Sequence, residues 1–363
     1  MNIKSGLIAA IAFVCAALNA FSPNAEAQAK DRFVYGVPSV ISSAVANFTF
    51  AEELGYFDQE RIELEMIPLP GSGVTIPQLL SGQIQSTGAS LEPLVIARAP
   101  GQKNFPLIFV YNYLRNSVWE FAVLDSSPIK SIADLKGKTI GIPSLTAGNV
   151  YMTMAILKSQ GVAAEDVTIQ PVGFGVQAFE ALRTKQIDML NLWDSMHQAL
   201  EMSGTKIRRL PMPKEFEGIS SHGFSVTQKL LRENPDLIAR FGRAVTKGSI
   251  ACEANPDGCL AAFWKRYPEQ RPRNGTEDEI KRREMSVMMS RLVNITSFRP
   301  GDSPLYGAYT DRDWTALINA LKLGKQLPAD LNIPLDTLYT NQLVPEFNRF
   351  DRDAVIAQAK SYR

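Results

Sequence analysis

VTIQPVGFGVQAFEALRTKQIDMLNLWDS, residues 167–195, is the stretch on which the reading of the fold turns. Residues 167–172 form a short β-branched run, Gly173-Phe174-Gly175 is a tight turn, residues 176–182 carry apolar side chains at helical spacing, and residues 187–192 are a second apolar run. Strand, turn, helix and strand in so short a space is a β-α-β unit, whose two strands lie parallel. The same layout stands upstream in residues 62–92: a strand at 62–67, glycines at Gly71 and Gly73, a short helix around Leu79, and a strand at 86–89. Gln83-Ile84 matches Gln186-Ile187, and each unit ends on a carboxylate, Glu92 or Asp194. We read the pair as a weak internal duplication, one unit per lobe.

Outward from these units the rhythm continues. Residues 33–37 read as a strand ended by Pro38, and 44–54 as a helix closed by Gly55. Strands are expected at 105–113 and 119–124, followed by a turn at 131–135, a strand at 139–142 ended by Pro143, and a helix at 150–159 stopped near Gly161. The C-terminal part is helical. Asn234-Pro235-Asp236 and Asn255-Pro256-Asp257 are matching helix starts, an Asn N-cap followed by Pro at the first helical position. Thr276 with Glu279 is a capping box, and the pairs Glu277/Lys281, Asp278/Arg282 and Glu279/Arg283 mark a solvated face. A last helix is expected near 352–360. The fold class is therefore α/β in two lobes, each a mixed, mostly parallel sheet flanked by helices, with a helical C-terminal part.

Size and charge agree with that division. A chain of 363 residues is longer than one core usually organises. Thirty-eight Lys and Arg against 37 Asp and Glu leave a net charge of +1, so no basic footprint points to nucleic acid. At the N-terminus, Lys4 precedes an apolar run at 6–18, then Ser22-Pro23-Asn24 and the small-residue sites Ala25-Glu26-Ala27 and Ala27-Gln28-Ala29. This reads as a signal peptide over residues 1–27, with a mature chain that starts at Gln28 or Lys30 and a periplasmic destination. The run is too short to span a bilayer comfortably. A lipid anchor on Cys15 is disfavoured by the bulky Phe13 and Val14 before it.

Export leaves Cys252 and Cys259 in an oxidising compartment. On one continuous helix they would stand about 10 Å apart, too far to pair. Asn255-Pro256 interrupts that helix, and the reversal gives the sulfurs a route to a disulfide; two buried free thiols are the alternative.

Most catalytic chemistry fails on inventory. His197 and His222 lack partners at metal-ligand spacing, and no nucleophile elbow, phosphate loop or zinc-protease motif is present. No cofactor or metal is expected. What remains are loops at the C-terminal ends of the expected strands, at 39–43, 71–74, 90–92, 144–149, 173–175 and 191–194, the edge where open α/β sheets bind small ligands. Hydroxyls, glycines and amides recur there, with Tyr151, Phe174 and Trp193 close by.

Four blocks carry a resemblance: AEELGYFDQERIELEMIP (51–68), QLLSGQIQSTGASLEPLVIARAPG (78–101), SPIKSIADLKGKTIGIPS (127–144) and residues 167–195. In this order they resemble the type II periplasmic solute-binding proteins of ATP-driven importers for sulfonates, taurine, nitrate, riboflavin and thiamine-precursor pyrimidines. The resemblance covers roughly residues 33–200. It implies a monomer that is not an enzyme, captures a small molecule between two lobes and delivers it to an ABC transporter permease in the membrane. It also implies that the chain threads out and back, with 30–115 and 224–363 in lobe one and 119–218 in lobe two.

The expected ligand-binding residues are Ser39, Ser42, Ser90, Glu92, Tyr113, Arg115, Ser144, Thr146, Gly148, Phe174, Trp193 and Asp194. Ser144, Thr146 and Gly148 follow from the resemblance as a ligand loop. Glu92-Pro93 is similar to the pyrimidine and riboflavin branch, where sulfonate binders have a small or hydroxyl residue, and it favours a nitrogen-bearing aromatic solute. Arg115 is the competing clue, suited to a carboxylate or sulfonate. Asp194 also reads as an ordinary N-cap, and Trp193 and Tyr113 as walls for a ring. The synthases of the same fold carry an active-site histidine and a cysteine-rich segment, and no such cluster stands here. Besides an importer component, an anion binder, an exported enzyme and a receptor sensor domain stay open.

Overall fold

Among the described residues, ten strands make two sheets of five. In the computed structural model, which describes residues 29–363, the first sheet holds β1 (Asp31–Val37), β2 (Ile62–Pro68), β3 (Ser86–Ser90), β4 (Leu107–Leu114) and β10 (His222–Thr227). Its order is β2-β1-β3-β10-β4. The second holds β5 (Trp119–Leu124), β6 (Thr139–Ile142), β7 (Thr168–Pro171), β8 (Met189–Trp193) and β9 (Ile207–Arg209), in the order β7-β6-β8-β5-β9. The expected signal peptide and Cys15 lie outside the described residues.

Both sheets are built alike. β1 pairs in parallel with β2 and β3, and β6 in parallel with β7 and β8. β10 then runs antiparallel to both β3 and β4, as β5 does to β8 and β9. Four strands of each sheet thus run one way and one runs against them. Each reversed strand is the one that the chain enters after crossing from the other sheet. β2 and β3, from the first repeat-like unit, occupy the same places as β7 and β8 from the second.

Burial explains the composition of these strands. Residues 33–37 of β1 and all eight residues of β4 are buried, as expected of strands covered on both faces, and they read as continuous apolar runs rather than alternations. An aromatic column fills the space under the first sheet: Phe33 stacks on Phe241 with ring centres 4.1 Å apart, and Tyr35, Phe48 and Phe224 continue it. Tyr111 and Tyr113 pack on Phe224 from β4.

The C-terminal helices hold the assembly from outside. Helices Pro235–Ala254 and Pro256–Arg266 start as the sequence implies, with the Asn234 side chain accepting from the Leu237 amide and that of Asn255 from the Gly258 amide. Between them Cys252 and Cys259 are joined as a disulfide, with Cα atoms 5.0 Å apart. Helices Pro235–Ala254 and Pro256–Arg266 pack on helix Ala46–Glu53 that follows β1, Glu277–Thr296 on Asp194–Met202 that follows β8, and Asp311–Leu323 on Val150–Ser159 that follows β6, so the C-terminal part touches helices of both sheets. Gly324 lies so close to Ala155 that any Cβ would collide with its backbone. Among the described residues no helix is long and apolar enough to cross a membrane.

Candidate ligand-binding site

The ends of β1, β3 and β4 face those of β5 and β8 across a cavity of about 80 Å³. Each sheet supplies part of the aromatic wall. Tyr35, Phe48 and Tyr113 line one side, and Trp119, Phe174 and Trp193 the other. Trp193 stands edge-on to Trp119, with centres 5.6 Å apart, and Phe174 leans against Trp193 at 5.4 Å. Rings fixed in this way are suited to hold a flat solute by stacking and apolar burial.

Polar groups enter between the rings. Ser39, Ser42, Ser72, Ser90, His222 and Arg291 line the cavity, with Gly71, Gly88 and Gly148. Gly88 faces the Tyr35 hydroxyl, where a Cβ would sit on the oxygen. Burial raises the Tyr35 and Tyr113 phenols well above their usual range, so both stay protonated. Tyr113 donates to Asn47 Oδ1 at 3.1 Å. Among the described residues Arg291 is the one formally charged side chain in the lining, and it is anchored by Asp194: Nε and Nη2 donate to Asp194 Oδ1, while Asn294 Nδ2 donates to Oδ2 at 2.8 Å.

His222 is buried between Ser90 and Ser221, with Nε2 3.1 Å from Ser90 Oγ and Nδ1 3.0 Å from Ser221 Oγ. Burial, assisted by the Arg291 charge, pushes its pKa down to about 3. A serine beside a histidine has the outline of a nucleophile and base, yet an imidazole held neutral to such low pH is a feeble base at neutrality. Its use is as a hydrogen-bonding group.

The cavity is roofed by a contact between loops of the two sheets. The Gly73 amide donates to the Thr146 carbonyl at 3.1 Å. Ser72 Oγ accepts from the Ser90 amide at 3.1 Å, and Gly148 approaches both serines so closely that a Cβ would fall 2.8 Å from Ser90 Oγ and 3.0 Å from Ser72 Oγ.

Ser39, Ser42, Ser90, Tyr113, Gly148, Phe174 and Trp193 of the expected set line the cavity. Five others stand elsewhere. Ser144 and Thr146 share a hydrogen bond at 3.3 Å on the exposed outer side of the loop contact. Asp194 stands behind Arg291. Arg115 turns away into the C-terminal part, where Nη1 and Nη2 donate to the Ile295 and Leu305 carbonyls, and its guanidinium covers the Phe298 ring at 4.1 Å. Glu92 is buried at the start of helix Glu92–Ile96, with Oε2 unpartnered, and burial pushes its pKa up to about 8. Neither Arg115 nor Glu92 reaches the cavity wall.

The reading of the sequence missed His222 and Arg291. His222 opens a strand, HGFSVT, whose alternating pattern was the available signal. Arg291 sits among the charges of a helix that looks solvated, and no local pattern distinguishes it. Among the described residues no group of three His, Cys, Asp or Glu is placed to hold a metal ion.

The sequence matches the family model described as "NMT1/THI5 like" over residues 42–259. Riboflavin-binding protein RibY of Chloroflexus aurantiacus is 24% identical over 248 residues, 67% of this chain and 66% of RibY. The formylaminopyrimidine-binding protein of Halalkalibacterium halodurans is 22% identical over 265 residues, 69% of this chain and 75% of that protein. The match to RibY thus stops just short of two thirds of that relative's length. Among solved structures, the periplasmic aliphatic sulphonate binding protein SsuA of Escherichia coli superposes with a TM-score of 0.62 at 15% identity, covering 87% of this chain and 99% of SsuA. The desulfurization enzyme DSZB superposes at 0.52 with 17% identity, covering 88% of this chain and 99% of the enzyme. These likenesses establish the periplasmic-binding-protein fold.

Proposed function

The chain belongs to the NMT1/THI5-like family, and from that premise we propose that it is the periplasmic solute-binding component of an ABC importer, capturing a small nitrogen-bearing aromatic solute such as a pyrimidine. The observation that carries this reading is the cavity itself: six aromatic side chains, three on each side, surround one space that, among the described residues, holds a single, already neutralised cation. A flat ring gains stacking and apolar burial there without bringing a charge. The relatives named for riboflavin and for formylaminopyrimidine support the same solute class.

In this reading residues 30–115 with 224–363 form one lobe and 119–218 the other. The two passages between sheets serve as the hinge, and the Gly73–Thr146 contact is what closes over the solute. The closed form is then what a membrane permease engages. The protein works as a monomer and turns nothing over.

Native mass spectrometry of protein purified from its own periplasm would identify the solute. Calorimetric titration with 4-amino-2-methylpyrimidine, riboflavin and an alkanesulfonate would rank the classes. Binding of the first or second supports the proposal, and binding of the sulfonate alone overturns it. That second reading has one specific observation in its favour, Arg291 in the cavity wall. Unchanged mass of the bound solute after prolonged incubation would separate a binder from an enzyme on the DSZB pattern. Loss of uptake on deleting the chain would separate import from sensing.

A further inference from the structure

Four groups near the cavity form a chain of hydrogen bonds with a fixed direction. The Asn116 carbonyl can only accept, so the bond of 3.0 Å between it and Ser221 Oγ uses the Ser221 proton. Ser221 Oγ is then the acceptor in its 3.0 Å contact with His222, which places the imidazole proton on Nδ1. His222 is buried and neutral, so Nε2 carries a lone pair, and the 3.1 Å contact with Ser90 must be made by the Ser90 hydroxyl proton. Ser90 Oγ, in the cavity wall, is left with lone pairs alone, and among the described residues no donor reaches it.

We propose that Ser221 and His222 fix Ser90 as an obligate hydrogen-bond acceptor, so that the cavity selects solutes presenting an N–H or O–H at that position and rejects isosteres presenting a lone pair. Serine hydroxyls ordinarily serve either role by rotating. Here the rotor is locked by the Asn116 carbonyl, three hydrogen bonds away on the far side of His222. A site built around one buried acceptor discriminates strongly, since a mismatched solute leaves that acceptor unpaired against another lone pair. The choice of probes rests on the functional reading above; the relay itself stands on the geometry.

The test has two readouts. First, ¹⁵N spectra of histidine-labelled protein distinguish protonated from bare ring nitrogens, and a His222→Gln variant assigns the signals against His197, the second histidine of the chain. We expect His222 protonated on Nδ1 and bare on Nε2, unchanged between about pH 5 and 8. Second, 4-aminopyrimidine and 4-methoxypyrimidine offer a donor and an acceptor at one ring position. The amino compound should bind at least tenfold more tightly. In Ser221→Ala the lock on Nδ1 is gone, the imidazole can present Nε2–H, and the preference should shrink to within about threefold. A proton on Nε2 in the parent protein, or an undiminished preference in Ser221→Ala, overturns the proposal. If neither pyrimidine binds, the solute class is wrong, and the tautomer measured by NMR still decides the relay.

Discussion

Arg291 donates two hydrogen bonds to one oxygen of Asp194, from Nε at 3.1 Å and from Nη2 at 2.6 Å. The pair ties helix Glu277–Thr296 to the helix that follows β8, and both side chains are largely buried. It places a positive charge at the cavity wall and cancels it there.

Removing the counter-charge should therefore show twice. Asp194→Asn leaves the guanidinium uncompensated in a poorly solvated place, so stability should fall by about 2–4 kcal/mol in urea unfolding. The uncompensated charge should also make the variant bind sulfate or an alkanesulfonate more tightly than the parent protein does. A variant as stable as the parent and equally indifferent to anions would mean that the pair is ornamental.

The loop contact over the cavity depends on the absence of a side chain at Gly73. A Cβ there would stand 2.6 Å from the Thr146 carbonyl oxygen, and backbone cannot yield as a side-chain tip does. Gly73→Ala should hold the loops apart, raise the solute dissociation rate at least tenfold and expand the protein in small-angle scattering. Its unfolding midpoint should stay within about 0.5 kcal/mol of the parent, because the buried cores are untouched. Unaltered dissociation kinetics would show that the contact does not gate the cavity.

Protein beginning at Gln28 should react with no thiol reagent until it is reduced, because Cys252 and Cys259 are joined. A loop this short constrains the unfolded chain modestly, so reduction should lower stability by about 2–3 kcal/mol. Alkylation of two cysteines without reductant would contradict the pairing.

Stability should decline on both sides of a maximum in weak acid. Glu92, with its pKa pushed up to about 8 by burial, keeps its proton in the folded state between roughly pH 4.5 and 8 while the unfolded chain gives it up. Unfolding is then favoured as pH rises through that window. His222, pushed down to about 3, has the opposite effect: the unfolded chain takes up a proton below about pH 6.5 that the folded state refuses, so stability falls as pH drops. Glu92→Gln should flatten the alkaline limb by a few kcal/mol and His222→Gln the acid limb, both read from urea midpoints. An alkaline limb that survives Glu92→Gln would place its origin elsewhere.

Much of the fold was legible because its signals are local. β5 and β6 fall on the residues expected from their apolar runs, and the two Asn-Pro helix starts on their caps. β9 and β10 were not read as strands. β10 is as long as β5, but its neighbours β3 and β4 come from more than a hundred residues earlier in the chain, so nothing nearby reports the pairing. The same distance hid Arg291, whose partner Asp194 is 97 residues away. The aromatic walls were accessible to reading because Tyr113, Phe174 and Trp193 sit at strand ends, where ligands gather in open sheets. Arg115 misled because its neighbourhood is made by the C-terminal part; Ile295, Leu305 and Asp302 claim a guanidinium that the β4–β5 crossover would otherwise present to a ligand.

The position of β10 has a consequence for how the molecule comes into being. A chain emerging N-terminus first has made β1 to β4 long before it makes Thr227, yet the first sheet has a gap between β3 and β4 until β10 arrives. During that interval two strand edges stand open, His222 is missing from the cavity, and Arg291 has still to be synthesised. A nascent chain therefore has no finished pocket to fill. The exposed edges of β3 and β4 are also the place where a stalled chain would pair with a neighbour until residues 222–227 fill the gap between them.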